Sequence, residues 1–207
     1  LDFTGIAKEK KTYHKRLNTD VEKVVTEIFE YDNQNRLLVH KHQINSNPVE
    51  ILDQNEYNEL SQVKTKKIGG TSPTAPLQII DHSYNIQGWL TKVNNPQNLA
   101  NKLFAYELKF TNPVNTAIAP AYYNGNIAEM DWTSANGNLK RYSYIYDAMG
   151  RLTSAFYSEP NASVPFNNYY NEVLSYDLNG NVTGLKRNRF SEYTGAQLID
   201  NLAYTYT

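Results

Sequence analysis

Tyr146-Asp147-Ala148-Met149-Gly150-Arg151-Leu152 decides the fold. Tyr142, Tyr144 and Tyr146 alternate with Arg141, Ser143 and Ile145, the two-residue period of a strand. Asp147 is the residue type that opens a type I turn with its own side chain. Gly150, four positions after Tyr146, tolerates the positive φ that closes such a turn with a G1 bulge. Leu152 then restarts the alternation. The heptad therefore predicts two antiparallel strands joined by a tight turn.

The same order of residues returns along the chain. Tyr31-Asp32-Asn33-Gln34-Asn35-Arg36-Leu37 and Tyr176-Asp177-Leu178-Asn179-Gly180-Asn181-Val182 are close copies. Tyr57-Asn58-Glu59-Leu60-Ser61-Gln62-Val63 and Tyr84-Asn85-Ile86-Gln87-Gly88-Trp89-Leu90 are weaker ones. Tyr31, Tyr57 and Tyr84 recur at intervals of 26 and 27 residues, and Tyr146, Tyr176 and Tyr206 at intervals of 30. Each interval holds a strand, a turn, a strand and a return loop. Between Tyr84 and Tyr146 the period blurs, with a degenerate turn at Tyr123-Asn124-Gly125-Asn126. Residues 20–28 carry too many β-branched side chains for a helix and run into the Phe29-x-Tyr31 alternation. Residues 98–104 are the best place for a short helical or irregular insert, and residues 69–76 form a loop by composition.

These heptads resemble the YD repeats of the Rhs family, large bacterial proteins similar in architecture to the teneurin ectodomain. Asp81-His82-Ser83-Tyr84-Asn85-Ile86-Gln87-Gly88-Trp89-Leu90 is similar to a stretch common in one bacterial branch of that family. The resemblance runs from about Thr12 to the C-terminus. It implies an all-β fold, antiparallel hairpins in a spiralling sheet that forms part of a hollow shell. It also implies a shell that encloses or presents a C-terminal passenger such as a toxin, in a secreted or cell-surface protein. The family's autoproteolytic Asp-Pro-x-Gly block has no counterpart here, so no cleavage activity carries over. Gly is replaced at the turn by Asn35 and Ser61, and Asp by Asn58 and Asn85, which reads as drift under structural constraint. Residues 1–207 are read as one continuous repeat segment of a larger chain.

Composition agrees with a turn-rich sheet of polar-tipped rings. Tyr outnumbers Phe 17 to 7, and there are 26 Asn. The net charge of −1 gives no footprint for nucleic acid. No apolar run is long enough to cross a membrane as a helix. With no cysteine, disulfide, zinc-thiolate and cysteine-nucleophile chemistry are excluded.

Candidate chemistry is sparse. His40 and His42 share a strand face, but two ligands do not make a metal site, and none is expected. Asp81-His82-Ser83 has triad residue types that adjacency points in opposite directions. The carboxylates are too scattered for sequence to choose a glycosidase pair. Tyr142, Tyr144 and Tyr146 form an aromatic stripe on one strand face, with Trp132 across an expected turn at residues 134–138, and such a row either stacks sugars or packs on the next repeat with its hydroxyls in water. The expected function is thus a non-enzymatic wall segment, needing no cofactor, whose partners are the rest of its shell and an enclosed passenger. The structural residues are the turns themselves: Tyr31, Asp32, Asn35, Arg36; Tyr57, Asn58; Tyr84, Asn85, Gly88; Tyr146, Asp147, Gly150, Arg151; Tyr176, Asp177, Gly180. The alternative is a cell-surface carbohydrate-binding module using Trp132, Tyr142 and Tyr144. A third reading, a polysaccharide-active enzyme, needs a convergent carboxylate pair in a cleft.

Overall fold

A computed structural model of the chain describes residues 5–206, in two compact units, Leu1–Ser83 and Tyr84–Thr207. Strand alternation dictates the elements of both, and no helix occurs among the described residues. The first unit is built from β1 (Glu9–His14), β2 (Lys23–Tyr31), β3 (Leu37–Ile44), β4 (Glu50–Tyr57), β5 (Val63–Ile68) and β6, which runs from Gln78 to Tyr84. Each strand pairs antiparallel with the next in sequence, as short turns require. Of the 20–28 stretch, residues 23–28 are strand and 20–22 precede it, and the Asp20 carboxylate caps a turn by accepting from the Leu17 amide at 3.0 Å.

The second unit contains β7 (Leu90–Val93), β8 (Phe104–Lys109), β9 (Glu129–Ser134), β10 (Lys140–Tyr146), β11 (Leu152–Ser158), β12 (Glu172–Tyr176), β13 (Val182–Ser191) and β14 (Gly195–Ala203). Here too every strand lies antiparallel to its sequence neighbour. The fold is all-β, a succession of antiparallel hairpins. The blurred period between Tyr84 and Tyr146 corresponds to irregular loops of residues 94–103 and 110–128 rather than to lost strands.

All five turns share one hydrogen-bond set. At the clearest, the Gly150 amide donates to the Asp147 carbonyl at 2.9 Å, and the Asp147 amide to the Arg151 carbonyl at 2.9 Å. Asp147 Oδ1 accepts from the amides of Met149 and Arg151, both at 2.9 Å. Gly88, Gly150 and Gly180 have φ of 81°, 79° and 90°. The departures from the motif keep its geometry. Asn35 and Ser61 hold φ of 60° and 63° at the glycine position. Asn58 and Asn85 accept the same two amides through Oδ1 as the aspartates do.

One regular feature is invisible in the heptads. Opposite each of four turn tyrosines the outgoing strand carries one extra residue. Tyr146 pairs with Leu152 while Ile145 pairs with Ser154, so Thr153 bulges out. Leu38, Lys64 and Thr183 take the same place opposite Tyr31, Tyr57 and Tyr176. A bulge breaks the ladder locally and leaves backbone groups to find other partners.

Candidate functional site

Two arrangements stand out. The first grows from the bulges. Tyr176 donates its hydroxyl to the Leu152 carbonyl at 2.7 Å, Tyr57 to that of Leu37 at 2.8 Å, and Tyr206 to that of Val182 at 2.8 Å. In each case the acceptor is the first residue after the preceding turn, at the bulge. Tyr31 and Tyr146 likewise reach the carbonyls of Ala7 and Ile127. The phenol tips of the turn tyrosines thus satisfy backbone acceptors of neighbouring strands. The reason is that a carbonyl displaced at a bulge needs a donor, and a tyrosine one repeat on has the right length.

Arginine adds a second tie. Arg36 Nε donates to Asp32 Oδ2 at 2.6 Å, and its guanidinium carbon lies 4.6 Å from the centre of the Tyr57 ring. Arg151 repeats this with Asp147 at 2.6 Å and with the Tyr176 ring at 4.7 Å, and its Nη1 reaches the Asp177 carbonyl at 3.0 Å. Each planar guanidinium therefore links its own turn to the next. Hydrogen bonds from backbone amides and the arginine hold the Asp32 and Asp147 carboxyls below the ordinary aspartate range. Asp177 is lowered as well, first by the side-chain amide of Asn181, which stands where the Tyr31 and Tyr146 turns have arginine.

The second arrangement is a buried ion cluster that the sequence reading missed. Glu129 and Asp131 point from one face of β9 and are 0% exposed. Arg141 on β10, directly across from Asp131, donates Nε to Oδ1 at 2.6 Å and Nη2 to Oδ2 at 2.8 Å. Lys109 on β8 reaches Asp131 Oδ2 at 2.6 Å and stands 3.6 Å from Glu129 Oε2. The Glu129 carboxylate accepts the amides of Val114 and Asn115, both at 2.7 Å, and so fastens the 110–128 loop to the strand. Burial by itself would raise Asp131; the hydrogen bonds from Arg141 and Lys109 outweigh it and hold the carboxyl low. Asp131 in turn raises Arg141. With both carboxylates inaccessible and fully bonded, this pair locks strands together and offers no oxygen to a substrate in a cleft.

The stripe residues Trp132, Tyr142 and Tyr144 lie together on the opposite face of the same strands. Trp132 stacks on Tyr142 at 5.4 Å and Tyr142 on Tyr144 at 5.8 Å. Register puts the Tyr142 ring between the other two, so both its faces are covered. Its hydroxyl donates to the Tyr170 carbonyl at 2.9 Å. Burial pushes Tyr142 and Tyr144 up to about 12, and burial with the Glu159 hydrogen bond raises Tyr157. Tyr146, further along, meets Tyr122 edge-on at 5.1 Å.

His40 stacks on Phe29 at 4.6 Å, and His42 Nε2 lies 2.9 Å from Glu50 Oε2. Among the described residues no cluster of histidine and carboxylate could hold a metal ion. His82 is pushed down by burial, and Asp81 accepts from the Thr65 hydroxyl at 3.3 Å. Among the described residues no helix is long and apolar enough to cross a membrane.

No family model matches the sequence, and no curated protein does. Among solved structures the fold is similar to the crystal structures of TcdB2-TccC3-Cdc42 and TcdB2-TccC3, at 13% sequence identity over 95% of this chain, with TM-scores of 0.41 and 0.40. The chain spans 13% of the length of the chains it matches there.

Proposed function

We propose that this chain is a stretch of the wall of a YD-repeat shell, non-enzymatic, secreted or displayed at a cell surface, that encloses or presents a C-terminal passenger. The observation that supports it is the repeated tie of turn tyrosine to bulge carbonyl, as in Tyr57 with Leu37 and Tyr176 with Leu152. A wall must hold successive hairpins in fixed register over a long sheet with little core beneath it. A tie that recurs once per repeat does this, because each hairpin is fastened to its neighbour and to nothing further away. The arginine over the next tyrosine ring works in the same direction. The buried ion cluster fits a wall as well, since it joins three strands and a covering loop without needing an apolar layer.

The test is protease protection of whatever follows the repeats in the natural full-length chain. The intact protein is expected to shield that passenger, and a Tyr57→Phe/Tyr176→Phe variant to expose it sooner at the same protease dose. Equal cleavage of the passenger in both, at the rate seen for the passenger alone, would sink the enclosure reading.

A further inference from the structure

Trp89 breaks the arginine pattern. It stands five residues after Tyr84, where Arg36 and Arg151 stand in their own turns. Those arginines lean over the next tyrosine; Trp89 instead borders an open cleft of about 650 Å³ within the second unit. Phe110, Tyr122 and Tyr123 line the same cleft, with Gln87 and Asn112 among its polar residues. Phe110 packs against Trp89 at 5.1 Å and 55°. A side chain at Gly125, where φ is 94°, would come within 3.2 Å of Trp89 Cη2, so the 123–126 turn lies directly against the indole. Held on these sides, Trp89 still keeps 40% of its surface exposed, and Tyr123 keeps 85%. Neither the hairpin ties nor the ion cluster uses these rings.

The chemistry of the lining selects the ligand. Its single carboxylate, Glu107, is paired with Lys92 at 3.0 Å, so nothing there calls for a charged partner. The side chains of Gln87, Thr111 and Asn112 have no protein partner among the described residues, and amides both donate and accept. Exposed rings beside two-way hydrogen-bonding groups suit a molecule with apolar C–H faces and many hydroxyls. A proline-rich peptide offers its acceptors as carbonyls and leaves the acceptors of the cleft unmet. We propose that the cleft around Trp89 and Tyr123 binds a neutral oligosaccharide, with a pyranose face on the indole and its hydroxyls on the amide rim. This site is separate from the Trp132 stack, whose central ring is covered on both faces.

The sequence supplies its own reporter, because Trp89 and Trp132 are its two tryptophans. In a Trp132→Phe variant of the 207-residue chain, tryptophan emission comes from Trp89 alone. Titration with maltotriose, cellotriose and chitotriose, to high millimolar concentrations, is expected to give a saturable emission change with at least one of them. Tyr123→Ala, at an exposed position that leaves the fold intact, is expected to weaken that binding about tenfold or more. Calorimetric titration of the unsubstituted chain and of Trp89→Ala, with folding checked by circular dichroism, makes the result independent of the Trp132→Phe substitution. The proposal is overturned by any of three results: no saturable response to any of the three sugars, binding that Tyr123→Ala leaves unchanged, or a response to a polyproline peptide alone. None of these results bears on the wall reading, which rests on other residues.

Discussion

The Tyr176 hydroxyl and the Leu152 carbonyl, 24 residues apart in the chain, meet at 2.7 Å. The bond joins a turn to the bulge that follows the previous turn, and it satisfies an acceptor that the strand ladder has released. If such bonds hold the hairpins in register, Tyr176→Phe costs about 1 kcal/mol, from a lost hydrogen bond and an acceptor left without its donor. Tyr57→Phe costs a similar amount, and because Tyr57 and Tyr176 share no partner the double variant costs the sum. Urea unfolding of the three variants measures this. Costs near zero at both sites would mean that water replaces the phenol without loss.

Gly150 isolates backbone strain from crowding. A Cβ there would meet only Asn126 Nδ2, at 3.6 Å, so a larger side chain finds room. Its φ of 79° is nonetheless the left-handed region. Gly150→Val is therefore expected to destabilise by about 1–2 kcal/mol through conformation alone. Gly150→Asn is expected to cost distinctly less, since Asn35 already holds φ of 60° at the same motif position. Equal losses for Val and Asn would remove the conformational explanation.

Asp131 carries an acid-side prediction. Its folded-state carboxyl lies below the ordinary range, so the stability it contributes is complete above about pH 4 and disappears as pH falls through the lowered value. Asp131→Asn leaves Lys109 and Arg141 buried with one fewer counter-charge and is expected to cost about 3–5 kcal/mol at neutral pH. The same variant should show a shallower fall in stability on acidification than the parent. Unfolding free energies measured at several pH values between neutrality and strong acid provide the comparison, and parallel profiles would contradict the assignment.

Alkaline pH tests the aromatic stack. Tyr142 and Tyr144 are pushed up to about 12 by burial, against an ordinary value of about 10. For an acid raised on folding, the contribution is fully present below the ordinary value and is lost as pH climbs towards the folded one. The chain should thus lose stability between about pH 10 and 12, and ultraviolet absorbance should show a late-titrating group of tyrosines. Tyr142→Phe and Tyr144→Phe together should shrink that late phase, leaving the share that belongs to Tyr157. A single phenolate transition near 10 in the folded chain would contradict the burial.

The hairpins and their turns were legible in the sequence because the forces that make them are local. The bonds from Asp147 to the amides of Met149 and Arg151 close within the heptad, and so does the positive φ of Gly150. Seven residues therefore contain the whole cause of each turn, including the substitutions Asn35, Ser61, Asn58 and Asn85 that preserve it. Alternation likewise marked Tyr142, Tyr144 and Tyr146 as neighbours on one face, while strand register brought Trp132 against them. What only the tertiary structure decided is every contact that depends on register between distant strands. Lys109 meets Asp131 across the 110–128 loop, whose length hides which residues face each other. The bulges at Thr153 and Thr183 shift pairing by one residue and carry no marker residue of their own. They nevertheless fix which carbonyl a tyrosine one repeat away can reach. The cleft beside Trp89 has the same origin: its walls come from a turn, a strand end and a loop, and only folding brings their rings together.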